Sequence, residues 1–220
     1  MKYVFLVLFL VTSVVHLYDS WMDHAERRKR TKPYLLLFLI LFYIYSTEKI
    51  HALLLIALVM SWLGDILLIP KGHKWFAFGG ISFMFSHLFF VAAYLQTIHF
   101  SRTNWFIVVP LGILYFGISI LVIRICKPST PKSMVLPMCF YLFCNSTMNL
   151  FALLQLMSYH NRGSIMTLIG AILFFISDCT LFLVRYSGYS SAVPKKHFTV
   201  MLTYLLGEFL ITAGMIQLLP

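Results

Sequence analysis

Charge is scarce in this chain. Of its 220 residues only 11% are Asp, Glu, Lys or Arg, and just seven are acidic. Soluble domains carry about 25% charged residues, so this chain cannot cover a core with a polar skin. That excludes an ordinary water-soluble domain. The 60% hydrophobic content excludes a disordered chain. Cysteine is scarce as well. Cys126, Cys139, Cys144 and Cys179 form no Cys-x-x-Cys pair, and three of them lie inside apolar runs. Neither a secreted disulfide scaffold nor a zinc framework follows from them. No Gly-x-Ser-x-Gly elbow is present to supply a serine nucleophile.

What is present is long apolar sequence, with a mean hydropathy of +0.88. A helix needs about 20 apolar residues to cross a bilayer. Runs of about that length recur at 3–21, 33–47, 50–69, 76–98, 105–125, 134–157, 164–184 and 198–219, the second being the shortest. Lipid tolerates helices or closed barrels, and no run alternates as a barrel strand does. The expected fold is therefore all-α: a polytopic bundle of eight transmembrane helices forming one integral membrane domain over 1–220. Pro33, Pro70, Pro128, Pro131 and Pro194 fall at the ends of runs, where proline punctuates helices. Gly79 and Gly80 read as helix-packing residues, since small side chains let membrane helices approach.

The net charge of +10 is distributed unevenly. Arg27, Arg28, Lys29, Arg30, Lys32, Lys71, Lys74, Arg124, Lys127, Lys132, Arg185, Lys195 and Lys196 lie on one side of an eight-span chain. Lys2, Lys49, Arg102 and Arg162 lie on the other. Basic loops stay in the cytoplasm, which places both termini outside. This pattern reports topology rather than nucleic-acid binding, because no basic face with interleaved aromatics accompanies it.

Asp65, Asp178 and Glu208 fall inside spans. A charge at the bilayer centre costs about 2.5–3.5 kcal/mol on insertion scales, so such residues line a cavity, pair or do chemistry. Asp65 and Asp178 lie on spans running in the same direction, both roughly 6–9 Å from the basic edge by helix rise. His87 and Glu208 lie on spans entering from that edge and reach roughly 15–16 Å. One deep histidine and three carboxylates are a poor match to a zinc site, so no metal and no cofactor is expected. Two readings stay open on these residues alone. The acids can hydrogen-bond to neighbouring helices, or they can serve a site, either of an enzyme or of a proton-coupled transporter. No Gly/Pro-interrupted helix pair points to a transporter. Asn145 and Asn149, one turn apart, can either join helices or touch substrate.

Several of these residues carry a resemblance. Lys32-Pro33 stands at the second span, Gly64-Asp65 is followed by Leu68, and Phe76, Gly79, Phe83 and His87 lie along the fourth. Ser177-Asp178 is followed by Leu181, and Tyr204 lies on the last span. In these features the chain resembles the YhhN-type lysoplasmalogenase family, relatives of the transmembrane protein 86 group. Phe90 stands where a tyrosine is expected and Glu208 where glutamine is common. The resemblance implies hydrolysis of the vinyl ether of a lysophospholipid drawn from the bilayer, giving a fatty aldehyde and glycerophosphocholine or glycerophosphoethanolamine. It implies Asp65, Asp178 and His87 as catalytic residues, and Lys32, Asn149, Tyr204 and Glu208 as substrate-binding ones. A bacterial cell membrane is the favoured location, with an internal eukaryotic membrane as the other. Headgroup preference and oligomeric state are not set by the sequence.

Overall fold

The computed structural model describes residues 1–188 and 193–219. Eight α-helices follow one another: α1 Lys2–Trp21, α2 Ala25–Ser46, α3 Ala52–Leu67, α4 His73–Leu95, α5 Trp105–Cys126, α6 Lys132–Tyr159, α7 Arg162–Tyr186 and α8 Lys196–Leu218. They fall on the eight apolar runs, and no strand interrupts them among the described residues. Local chemistry sets several ends. The Asn104 side chain caps α5 by accepting the Phe106 N–H. Asn161 and Ser164 form a reciprocal capping box at the start of α7.

Six helices, α1 and α4 to α8, are long and apolar enough to cross a membrane. The other two fall short for different reasons. α3 has 16 residues, or roughly 24 Å of rise against a hydrocarbon core of about 30 Å. α2 has 22 residues, but it opens with the charged stretch Glu26–Lys32. Glu, Arg and Lys are good helix formers, so the helix starts eight residues before Pro33, which lies in its interior. Proline cannot supply the N–H that the preceding turn would use. The Pro33 carbonyl in turn accepts the Trp62 indole N–H from α3 at 2.7 Å.

The chain is an integral membrane protein by its exterior as well. Phe106 is 92% exposed, and Ile113, Leu121, Leu136 and Phe143 are exposed along α5 and α6. In water these side chains would form an apolar patch too large for a soluble monomer.

The helices pack as the hairpins α1/α2, α3/α4 and α7/α8, with α6 against α4, α5 and α7, and α8 closing onto α1 and α2. Glycine governs the closest approaches. A Cβ on Gly170 would lie 2.7 Å from the Gly207 carbonyl oxygen, and one on Gly207 would lie 2.9 Å from that of Gly170. Any side chain there would push α7 and α8 apart. Gly79 does the same for α4 and α3, where a Cβ would meet Leu68 and the Gly64 carbonyl. Gly80 differs from the expectation. A Cβ there meets nothing within 4 Å, because one step along a helix turns the position about 100° away from α3.

Candidate functional site

Helices α2, α3, α4, α7 and α8 surround a cavity of about 330 Å³ whose lining includes Lys32, Asp65, Phe83, Asp178, Arg185 and Tyr204. Two carboxylates therefore share one space, as their equal depth predicts. Both are almost wholly buried, and a buried carboxylate must find partners.

The two find different ones. Asp65 Oδ1 lies 3.2 Å from the Lys32 ammonium. Its Oδ2 accepts the Tyr204 hydroxyl at 2.9 Å. The early start of α2 makes the first contact available, since Lys32 is held on helix. Asp178 is held by neutral donors on α6. The Tyr141 hydroxyl donates to Oδ2 at 2.8 Å and the Asn145 amide at 2.7 Å. His87 Nε2 stands 3.4 Å from the same oxygen, off the alignment of a hydrogen bond. All three contacts fall on Oδ2, which leaves Oδ1 without a protein partner among the described residues.

His87 was expected in a deeper layer than Asp178, and the helix rise does separate their Cα positions. The side chains close the gap. Cα–Cβ bonds tilt toward the N-terminus of their own helix. α4 and α7 run in opposite senses, so His87 leans toward the basic end and Asp178 away from it. The His87 ring is edge-on to Tyr141 at 5.1 Å and to Phe174 at 5.0 Å. Phe174 also packs edge-on against Tyr204 at 5.2 Å. One ring thus stands between the partner of Asp65 and the partner of Asp178.

Of the other expected site residues, Lys32 and Tyr204 line the cavity, while His87, Asn149 and Glu208 do not. The Asn149 amide donates to the backbone and side-chain oxygens of Asn145 at 3.0 and 3.1 Å. It therefore acts on Asp178 through Asn145. Glu208 is fully buried, and the side-chain group beside its carboxyl is the Ser61 hydroxyl, which also bonds to Ser86 at 2.8 Å. Among those residues no three His, Cys, Asp or Glu side chains converge as a metal-binding group.

Tyr141 was missed by sequence reasoning. It lies one turn before Asn145 and two before Asn149, so a polar stripe at four-residue spacing along α6 was the available signal. At the basic edge, Arg185, Lys196 and His197 rim the cavity. The Arg185 guanidinium lies 3.7 Å above the Phe76 ring, a cation–π contact that holds it at the rim.

A family model, that of the YhhN family, matches residues 28–215, and the chain belongs to that family. The match takes in every residue of the cavity lining. No curated protein and no solved structure matches the chain.

Proposed function

We propose, for this member of the YhhN family, that the cavity hydrolyses the vinyl ether bond of lysoplasmalogens. The observation that carries the proposal is the pairing of two buried carboxylates on one cavity, one beside a lysine and the other beside a histidine and neutral donors. Vinyl ether hydrolysis needs that division. A general acid delivers a proton to the vinyl carbon distal to oxygen, and the other vinyl carbon becomes an oxocarbenium ion. Water adds to that carbon and gives up a proton to a base. The hemiacetal then breaks its bond to the glycerol oxygen, releasing aldehyde and glycerophospho-base. No covalent enzyme intermediate and no cofactor enters the scheme.

Asp178, which lines the cavity and has His87 beside its Oδ2, is the proton donor in this scheme. Asp65 is the base and the negative charge beside the cation, since the Lys32 ammonium stands 3.2 Å from its Oδ1 as a counter-charge. Tyr204 orients Asp65. Tyr141 and Asn145 orient Asp178, with Asn149 supporting Asn145. Positioned acid–base groups of this kind contribute typically 10²–10⁴-fold to a rate.

The basic rim fits the substrate's other end. Arg185 and Lys196 offer cationic donors to a phosphate, while the vinyl ether a few ångströms below meets the carboxylates. We read all eight helices as crossing the bilayer, with this rim cytoplasmic and both termini outside, from the distribution of Lys and Arg. The protein purified in detergent is expected to release fatty aldehyde and glycerophospho-base in equal amounts from a lysoplasmalogen. It is expected to leave the saturated ether analogue intact. A folded preparation that turns over neither the choline nor the ethanolamine substrate would overturn the proposal.

A further inference from the structure

A lysolipid whose vinyl ether meets Asp65 and Asp178 must lodge its hydrocarbon chain nearby. The inner end of the polar cavity offers no room: His87, Asn149 and Glu208 are all fully buried there. A second cavity lies beside it. Between the first halves of α4 and α6 is a groove of about 280 Å³, lined by Ala77, Gly80, Met84, Pro137 and Tyr141 among others. Its lining is apolar side chains and Tyr141, whose hydroxyl is engaged with Asp178.

The two cavities share a wall. Phe76 lines both. Phe182 packs edge-on against Phe76 at 6.2 Å and against Tyr141 at 5.2 Å. These three rings stand between the groove and the carboxylates. On the outside, Phe78, Ile81 and Phe140 are exposed on the same two helices, so the groove opens toward the hydrocarbon of the bilayer. Gly80 keeps it open, since the space its missing side chain would occupy is vacant.

We propose that this groove binds the alkenyl chain of the substrate, which enters sideways from the bilayer between α4 and α6, and that Phe76, Tyr141 and Phe182 gate the passage to the reactive bond. The inference rests on the lysoplasmalogenase reading. The occupant is the single chain of a lysolipid. A hydrocarbon groove next to a polar cavity with a cationic rim matches one chain, one vinyl ether and one phosphate in sequence, and the groove's size suits one chain rather than two.

A Cβ at Gly80 meets nothing within 4 Å, so Gly80→Phe and the smaller Gly80→Leu project from open space into the groove. The readout is chain-length preference, the ratio of kcat/KM for a long-chain lysoplasmalogen to that for a short-chain one. Gly80→Phe is expected to lower that ratio at least about tenfold, because several methylenes lose their apolar contact, and Gly80→Leu by less. An unchanged ratio in both folded variants would overturn the groove. A separate readout holds whether or not the protein turns over. A photoactivatable lysolipid with its reactive group on the chain is expected to label α4 and α6, and an excess of unlabelled saturated-ether lysolipid to suppress that labelling. Labelling suppressed equally by a two-chain phospholipid would mark a crevice for bulk lipid and sink the proposal. Absence of turnover by the unmodified protein would instead count against the activity.

Discussion

Lys32 Nζ stands 3.2 Å from Asp65 Oδ1, with 16% and 2% of the two side chains exposed. Nothing comparable faces Asp178, whose nearest basic group is the His87 ring. This asymmetry, rather than depth, distinguishes the two aspartates. In the proposed scheme it suits the α3 side of the cavity to the negative charge and the α7 side to proton delivery.

The ion pair makes the first expectation. Removing one member of a buried pair leaves the other uncompensated, at a cost of about 3–5 kcal/mol. Lys32→Met is expected to lower the thermal stability of the detergent-solubilised protein clearly. Adding Asp65→Asn should restore most of that stability, since no unpaired charge remains, while activity stays lost. Equal destabilisation by the single and double variants would show that Lys32 contributes packing and not charge.

Asp65→Asn and Asp178→Asn are each expected to lower kcat at least about 100-fold, the lower end for general acid–base catalysis. Both amides preserve shape and keep an oxygen that accepts from the neighbouring hydroxyl, so each variant should still run as a folded protein on size exclusion, Asp65→Asn with a lower melting temperature because Lys32 loses its partner. Steady-state rates on one lysoplasmalogen decide the point. A folded variant retaining a tenth of the rate or more would remove that residue from the chemistry.

That the two aspartates meet on one cavity was legible in the sequence, because rise per residue puts them at matching distances from the ends of their helices. What rise does not give is azimuth. Gly79 and Gly80 read alike, yet one touches α3 and the other faces an open groove. Tyr141 was one tyrosine among twelve, and only the placement of α6 beside α7 identifies it as a partner of Asp178. The start of α2 was misplaced for a different reason. Apolar length marks where lipid begins, whereas the helix continues into water through Glu26–Lys32, and that extension carries Lys32 to Asp65.

The close approach of α7 and α8 sets a third expectation. Both helices carry site residues, Asp178 and Tyr204, and they meet at Gly170 and Gly207 with no room for a Cβ on either. Gly170→Val is expected to separate the helices, lower the melting temperature and abolish activity together. Gly80→Ala, on the open side of α4, should leave the melting temperature close to that of the unmodified protein. A stable, active Gly170→Val protein would mean that the two helices do not pack as described.

His87 and Glu208 separate what is close to the chemistry from what is merely deep. His87 Nε2 is 3.4 Å from the Asp178 oxygen that Tyr141 and Asn145 also engage, so in the proposed scheme it is a positioning residue whose loss would disturb the proton donor. Neither residue is in the cavity lining, but Glu208 makes no contact with Asp65 or Asp178, and the Ser61 hydroxyl is the side-chain group beside its carboxyl. A neutral amide of the same shape fits that surrounding at least as well as a carboxyl, since a buried charge needs a partner. Glu208→Gln is therefore expected to keep activity within a few-fold and to retain or raise thermal stability. His87→Ala is expected to lower kcat by at least about tenfold, with a changed pH–rate profile because the group backing the acid has gone. Tyr141→Phe, which removes a donor from the same Asp178 oxygen, should shift that profile too. If Glu208→Gln abolished turnover while His87→Ala and Asp178→Asn kept most of it, the reacting bond would lie at Glu208. The alkenyl chain would then have to pass beyond the rings that now close the cavity.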